Sequence, residues 1–280
     1  SMWVGQQLAD GLDFWGFLGS LILGGIILGI YTGLLGYVGA KTGLSLDLLS
    51  QRAFGEKGSY LPSAMTSFTQ IGWFGVGSFV SGGTATPNFA RFAKNGKAGA
   101  ITTVVAFFIG NSLMFFFGAV SSIFVGGNDI FEVMVRLNLF YLAVLVLGLN
   151  IWTTNDNALY TAGLGLANIF HQRKKPMVLL SGIIGTVASV WLYYNFCGWL
   201  NILNCTLPPV GMILVLAYFM NKEDFETDQP KLKTIDWFAV AGVILGAIVA
   251  NLLHWGIASI NGMVVAAVCY CVGQAVNKRK

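Results

Sequence analysis

The sequence predicts an all-α polytopic membrane protein in which two of the membrane-length segments are broken. Three observations point there. Hydrophobic residues make up 55% of the 280 and charged residues only 10%, with a mean hydropathy of +0.70, more apolar surface than a soluble domain of this size uses. Apolar stretches long enough for a hydrocarbon core of roughly 30 Å recur along the chain, joined by short basic connections. Gly82-Gly83 with Pro87, and Pro208-Pro209, lie inside such stretches, where they bend a helix and release its carbonyls.

Taken in order, the apolar segments fall at about 14–38, 61–90, 98–125, 139–169, 177–195, 198–220, 237–253 and 256–276. The first is rich in glycine, which lets membrane helices approach closely. Lys41, Arg52 and Lys57 follow it. Arg91, Lys94 and Lys97 follow the second segment, and Arg173, Lys174 and Lys175 the fourth. Lys222, Lys231 and Lys233 follow the sixth, and the chain ends on Lys278-Arg279-Lys280. Positive charge marks the cytoplasmic side, whereas the connection at 126–138 carries Asp129 and Glu132 against a single Arg136 and suits the outside. From Lys97 onward the sides alternate without conflict.

Segment 61–90 breaks the alternation. It joins two cytoplasmic connections, so it must cross an even number of times, yet two helical crossings need roughly 40 residues plus a turn. A re-entrant hairpin is one solution, and Gly75, Gly77, Gly82 and Gly83 permit it. The length requirement favours the other, a gap in the sequence between Gly77 and Ser78. The chain is otherwise one transmembrane domain over 1–280. Pro208-Pro209 is expected to interrupt the segment at 198–220, and 221–235 to be a solvated loop. Cys197, Cys205, Cys269 and Cys271 have no partners at metal-ligand spacing and are expected to be buried thiols. The chain opens on Ser1-Met-Trp-Val4 without a basic leader, so no cleavable signal peptide is expected.

The polar residues that matter sit where hydrocarbon makes them costly. Asn150, Thr153, Thr154 and Asn157 are three or four apart inside an apolar segment and share one helix face. Hydroxyls and amide carbonyls are hard neutral oxygen ligands for a small cation such as sodium. Asp156 is open to three roles: proton carrier, counter-charge or structural acceptor. Gln70 and Trp73, one turn apart, offer an amide and an aromatic plate on one face. Ser78-Phe79-Val80-Ser81 adds an aromatic and hydroxyls beside the glycine break. Such an inventory suits a flat, uncharged heteroaromatic solute, while taken singly Trp73 and Phe79 also suit ordinary packing. No catalytic elbow, Walker loop, carboxylate pair or histidine cluster is present, so an enzyme is not expected.

Three stretches resemble the nucleobase–cation symporter family. They are Asn150-Ile-Trp-Thr-Thr-Asn-Asp-Asn-Ala-Leu-Tyr160, Gln70-Ile-Gly-Trp-Phe-Gly75 and Gly29-Ile-Tyr-Thr-Gly-Leu-Leu-Gly-Tyr-Val-Gly-Ala-Lys-Thr-Gly43. The similarity continues through Gly110-Asn-Ser-Leu-Met-Phe115, Gly182-Ile-Ile-Gly-Thr186 and Pro208-Pro-Val-Gly211. The resemblance implies a leucine-transporter-type inverted-repeat fold with broken helices, from which most of the family's first helix and its fourth and fifth helices are missing here. It implies cytosine as the substrate, held between Trp73 and Phe79 with polar contacts from Gln70, Ser78, Ser81 and Asn155. It implies sodium as the coupling ion, on Asn150, Thr153 and Thr154, with the first-helix half of that site unmatched. A bacterial inner-membrane, monomeric carrier working by alternating access follows from it, without a cofactor or a nucleic-acid partner. Proton coupling through Asp156, another nucleobase or a hydantoin, and a non-transporting form remain as alternatives.

Overall fold

The computed structural model describes residues 13–76, 85–126, 130–227, 230, 232–253 and 255–277. Ser78, Phe79, Ser81 and His254 lie outside the described residues, as do the side chains of Trp73 and Cys197. Among the described residues all regular structure is helical. The elements are α1 (Phe14–Thr42), α2 (Leu46–Phe54), α3 (Tyr60–Val76), α4 (Pro87–Ala90), α5 (Gly96–Val125) and α6 (Ile130–Arg136). They continue with α7 (Phe140–Phe170), α8 (Lys174–Tyr194), α9 (Phe196–Met220), α10 (Lys222–Glu226), α11 (Trp237–Leu252) and α12 (Ala258–Asn277). Every apolar segment read from the sequence is accounted for, with 61–90 divided into α3 and α4.

Local chemistry sets the ends. Asp13 caps α1 by accepting from the Gly16 amide at 3.0 Å, and Gly43 closes it at φ 68°, a left-handed conformation open to glycine. Ser45 caps α2, and Asp236 caps α11 by accepting from the Ala239 amide at 3.2 Å. Pro87 opens α4 at a first-turn position, where its missing N–H is not needed. α1, α5, α9, α12 and the 174–192 part of α8 are long and apolar enough to cross a bilayer.

Packing separates the helices into groups. α1 lies along α5 and touches α4, whereas α3, α7 and α8 pack on one another and α9, α11 and α12 form a third cluster. α9 is the hub, in contact with α1, α2 and α3, and its Val210, Ile213, Leu214 and Tyr218 are buried in the main core. Small residues permit the close approaches. A Cβ on Gly36 of α1 would stand 3.1 Å from the Gly99 carbonyl oxygen of α5, and one on Gly39 only 2.7 Å from Pro87 Cα.

The basic connections converge at one end of the molecule. Gln51 Nε2 donates to Asn168 Oδ1 at 2.6 Å, and Arg52 Nη1 to the Asp224 carbonyl at 2.9 Å. The Glu56 amide bonds the Lys233 carbonyl, and the Leu46 amide bonds Asn88 Oδ1 at 2.8 Å. Most described residues of 221–235 are exposed, as expected of a solvated loop, although Phe225 is buried and the carbonyls of Asp224 and Lys233 are bonded to the 52–56 connection.

Two expectations are corrected. Pro208-Pro209 does not interrupt its segment, because α9 runs unbroken from Phe196 to Met220. A proline at 208 has no N–H for the carbonyl of Asn204, and Ser259 Oγ of α12 fills the vacancy at 3.1 Å. The buried-thiol expectation holds for Cys205 but not for Cys271, which is exposed on α12.

Candidate solute-binding cavity

A cavity of about 690 Å³ lies between α4 and α5 on one side and α3 and α7 on the other. α7 contributes Asn150, Thr153, Thr154, Asn157, Ala158 and Thr161, a spacing of three and four that places all six on one helix face. The sequence pattern of the first four is thus realised as a single polar stripe. The stripe is polar because its hydroxyls are only partly used: Thr153 Oγ1 bonds back to the carbonyls of Leu149 at 3.2 Å and Asn150 at 3.1 Å. A hydroxyl that spends its proton on its own helix keeps its lone pairs for a ligand.

Gln70 of α3 enters the cavity from the facing wall, 7% exposed. Opposite it stand Thr86 and Phe89 of the α4 region, and Thr102, Thr103 and Asn111 of α5. Among the described residues no lysine, arginine, aspartate or glutamate lines the space, and the polarity they supply comes from amides and hydroxyls, which suits an uncharged polar solute.

Of the residues expected from sequence, Gln70, Asn150, Thr153 and Thr154 meet in this cavity. Asn155 does not line it. It sits on the same helix but on a neighbouring face, half-buried, with its Oδ1 enclosed and unpartnered among the described residues. Asp156 is exposed and also off the cavity wall. Sequence reasoning missed Thr86, Thr102, Thr103, Asn111 and Thr161. The last is the most telling, because its Oγ1 is buried, unpartnered and in the cavity wall.

Asn150, Thr153 and Thr154 fit one face of a sodium site in donor chemistry, since all three offer neutral oxygens. They come from a single helix, so a facing element has to complete any coordination shell.

Below the cavity, at the basic end, lies a second polar group. Asp47 of α2 is 5% exposed and accepts from Ser63 Oγ at 2.6 Å. Ser63 Oγ accepts from Asn168 Nδ2 at 2.9 Å, and Asn168 Nδ2 also reaches Ser59 Oγ at 3.1 Å. Burial raises the Asp47 carboxyl to about 6, against the lowering pull of the Ser63 bond and the Arg91 charge.

Comparison with known proteins places this architecture. A family described as permeases for cytosine/purines, uracil, thiamine and allantoin matches residues 1–86 and 76–276. The cytosine permease of Escherichia coli K12 is 36% identical over 373 aligned positions that take in all of this chain and 88% of that protein. The allantoin permease of Bacillus subtilis 168 is 34% identical over 82 positions, 29% of this chain and 16% of that one. Among solved structures, Mhp1, a nucleobase-cation-symport-1 family transporter in a closed conformation with bromovinylhydantoin bound, superposes with a TM-score of 0.76. The match covers 98% of this chain and 88% of that chain at 15% identity. The fold is therefore the inverted-repeat, leucine-transporter type, and these relatives are carriers, not enzymes.

Proposed function

This chain belongs to the family of permeases for cytosine/purines, uracil, thiamine and allantoin, and we propose that within it the protein imports cytosine by sodium-coupled symport. The observation that carries the proposal is the neutral wall of the cavity. Gln70, Asn111 and the threonines can read the edge of a flat uncharged base, and among the described residues no fixed charge lines the cavity to demand an ionic solute. Likeness along the full chain to a cytosine permease supports the choice of base.

Sodium is the coupling ion in this proposal because Asn150, Thr153 and Thr154 present hard neutral oxygens to the same space. Solute and ion then share a wall on α7. Binding of either orders that wall and favours the other by reciprocal linkage. Asp156, exposed and off the wall, is assigned no part in coupling. The carrier alternates access as a monomer of the bacterial inner membrane, with the basic end in the cytoplasm.

The transporting polypeptide, in the same proposal, carries a further helical pair between Gly77 and Ser78. Two observations support it. The alignment with the Escherichia coli relative is 373 positions long against 280 residues here. The family matches in two overlapping pieces that meet at 76–86.

A second solute class is favoured by one finding, the hydantoin bound to the structural neighbour. Uptake of labelled cytosine into proteoliposomes under inward sodium or potassium gradients tests both, with hydantoin and uracil as competitors. Sodium-driven uptake that a Gln70→Leu substitution lowers at least tenfold is the expected result. Uptake indifferent to sodium but driven by a pH gradient would remove the ion assignment. Stronger competition by hydantoin than by unlabelled cytosine would move the solute.

A further inference from the structure

Two helix groups face each other across the cavity; α6 and α9 touch both, and at the basic end a side-chain cluster joins them directly. α1, α4 and α5 form one body and α3, α7 and α8 the other, with only sparse direct packing between them among the described residues. At the basic end, Arg91 caps α4 and donates from Nη2 to the hydroxyl of Tyr160 on α7. The Phe89 ring, one side of the cavity wall, lies 6.2 Å from the Tyr160 ring at a tilt of 38°. Lys174, the first residue of α8, holds its Nζ 3.4 Å from the centre of that same ring. Tyr160 is thus gripped from its own body by Lys174 and from the other by Arg91 and Phe89.

α4 is in turn fixed to α1, because Gly39 lies against Pro87, while Asn88 Oδ1 takes the Leu46 amide of α2, a helix that also bonds α3 and α7. A pull on Arg91 therefore moves the α4 wall of the cavity and not a free loop.

We propose that the Arg91–Tyr160 bond is a latch that keeps the basic end of the cavity shut, with Phe89 and Tyr160 as the plug beneath the solute. The proposal rests on the cavity being the solute path. A guanidinium–phenol bond is charge-assisted yet single, strong enough to bias two conformations about tenfold and weak enough to break in each cycle. The incomplete bonding of Arg91 points the same way. Its Nε is buried without a partner among the described residues, whereas a permanent scaffold contact normally satisfies every donor.

The test reads accessibility, which needs no solute and so stands apart from the transport assay. Thr161→Cys places a thiol in the cavity wall at low cost, since the hydroxyl it replaces makes no bond among the described residues. Its modification by a membrane-impermeant maleimide is followed by peptide mapping, to separate it from the native cysteines, with reagent supplied to one side at a time. Adding Tyr160→Phe or Arg91→Gln is expected to speed labelling from the basic side about tenfold and to leave the opposite side unchanged. Labelling within twofold of the parent from the basic side, in protein that keeps the parent's melting temperature, overturns the latch. Equal acceleration from both sides shows general loosening and overturns it too. If Arg91→Gln does not fold, Tyr160→Phe decides alone, because it removes only a hydroxyl.

Discussion

Asp47 shows what a single buried acid does to this fold. Its carboxyl is raised to about 6 by burial, from 3.8 in the open chain. Between those values the folded protein keeps a proton that the unfolded chain has lost. Stability therefore falls as pH rises through the window, and the deficit is complete above it, about 3 kcal/mol. Asp47→Asn retains an acceptor for Ser63 and removes the charge. We expect a higher thermal midpoint than the parent at pH 8, and the loss of the parent's decline between pH 4 and 6. An unaltered pH slope would assign the decline to other groups. Thr161 provides a second case. Its buried hydroxyl makes no bond within the described chain, so Thr161→Val should leave stability equal or up to about 1 kcal/mol higher. Solute affinity should fall about tenfold if that hydroxyl is a ligand, which a binding isotherm measures. The two halves of the cavity wall differed in how readable they were. Asn150, Thr153, Thr154 and Asn157 stood out because costly groups repeat at helical spacing. Thr102 and Thr103 did not, because a lone threonine in an apolar helix satisfies itself on a backbone carbonyl, as Thr102 does on Ala98 at 2.7 Å and Thr103 on Gly99 at 2.6 Å.

At the scale of the element, the segments were legible because hydrocarbon thickness fixes their length, and their ends because caps and basic residues mark them. The proline pair in α9 was misread for a physical reason. The cost of a missing N–H depends on what else can reach the freed carbonyl, and Ser259 belongs to a helix far along the chain. Close helix contacts were likewise invisible in detail, since a glycine says only that something can approach. Gly246 and Gly262 show what does: a Cβ on Gly246 would stand 2.6 Å from the Gly262 carbonyl oxygen, and one on Gly262 3.0 Å from that of Gly246. Both obstacles are backbone and cannot rotate aside. Gly246→Leu should therefore push α11 from α12 and cost about 1–3 kcal/mol or more, seen as a lower melting temperature in detergent. Ile244→Leu, at an exposed position of the same helix, should change it little. Equal melting temperatures for the two variants would mean the α11–α12 seam contributes nothing that repacking cannot replace.

For the whole molecule, the distribution of polarity constrains what surrounds it. Asn150, Thr153, Asp156 and Asn157 are exposed midway along α7, at a depth where lipid offers no hydrogen-bond partner. Most of the apolar side chains of α5 beside them, Ile101, Val105, Ile109, Leu113 and Phe117 among them, are exposed. An apolar helix can stand in lipid, but a polar stripe cannot; Asn150, Thr153 and Asn157 face the cavity, whereas Asp156, exposed and off its wall, is the group that a further element has to cover. A helical pair inserted between Gly77 and Ser78 would begin and finish at the end where Val76 stops, adding the length that segment 61–90 lacks while leaving the parity of crossings unchanged. Two results are expected. Polypeptide that carries out sodium-driven uptake should have an intact mass well above 30.1 kDa, the mass of these 280 residues. The 280-residue chain, reconstituted alone, should label at Asp156 with a water-soluble carbodiimide and show no coupled uptake, because its polar stripe faces solvent or detergent and its ion site has one wall. Full uptake by a 30.1 kDa chain would instead mean that the stripe is covered by something other than an internal helical pair, and that α7 alone supplies enough ligands for the ion.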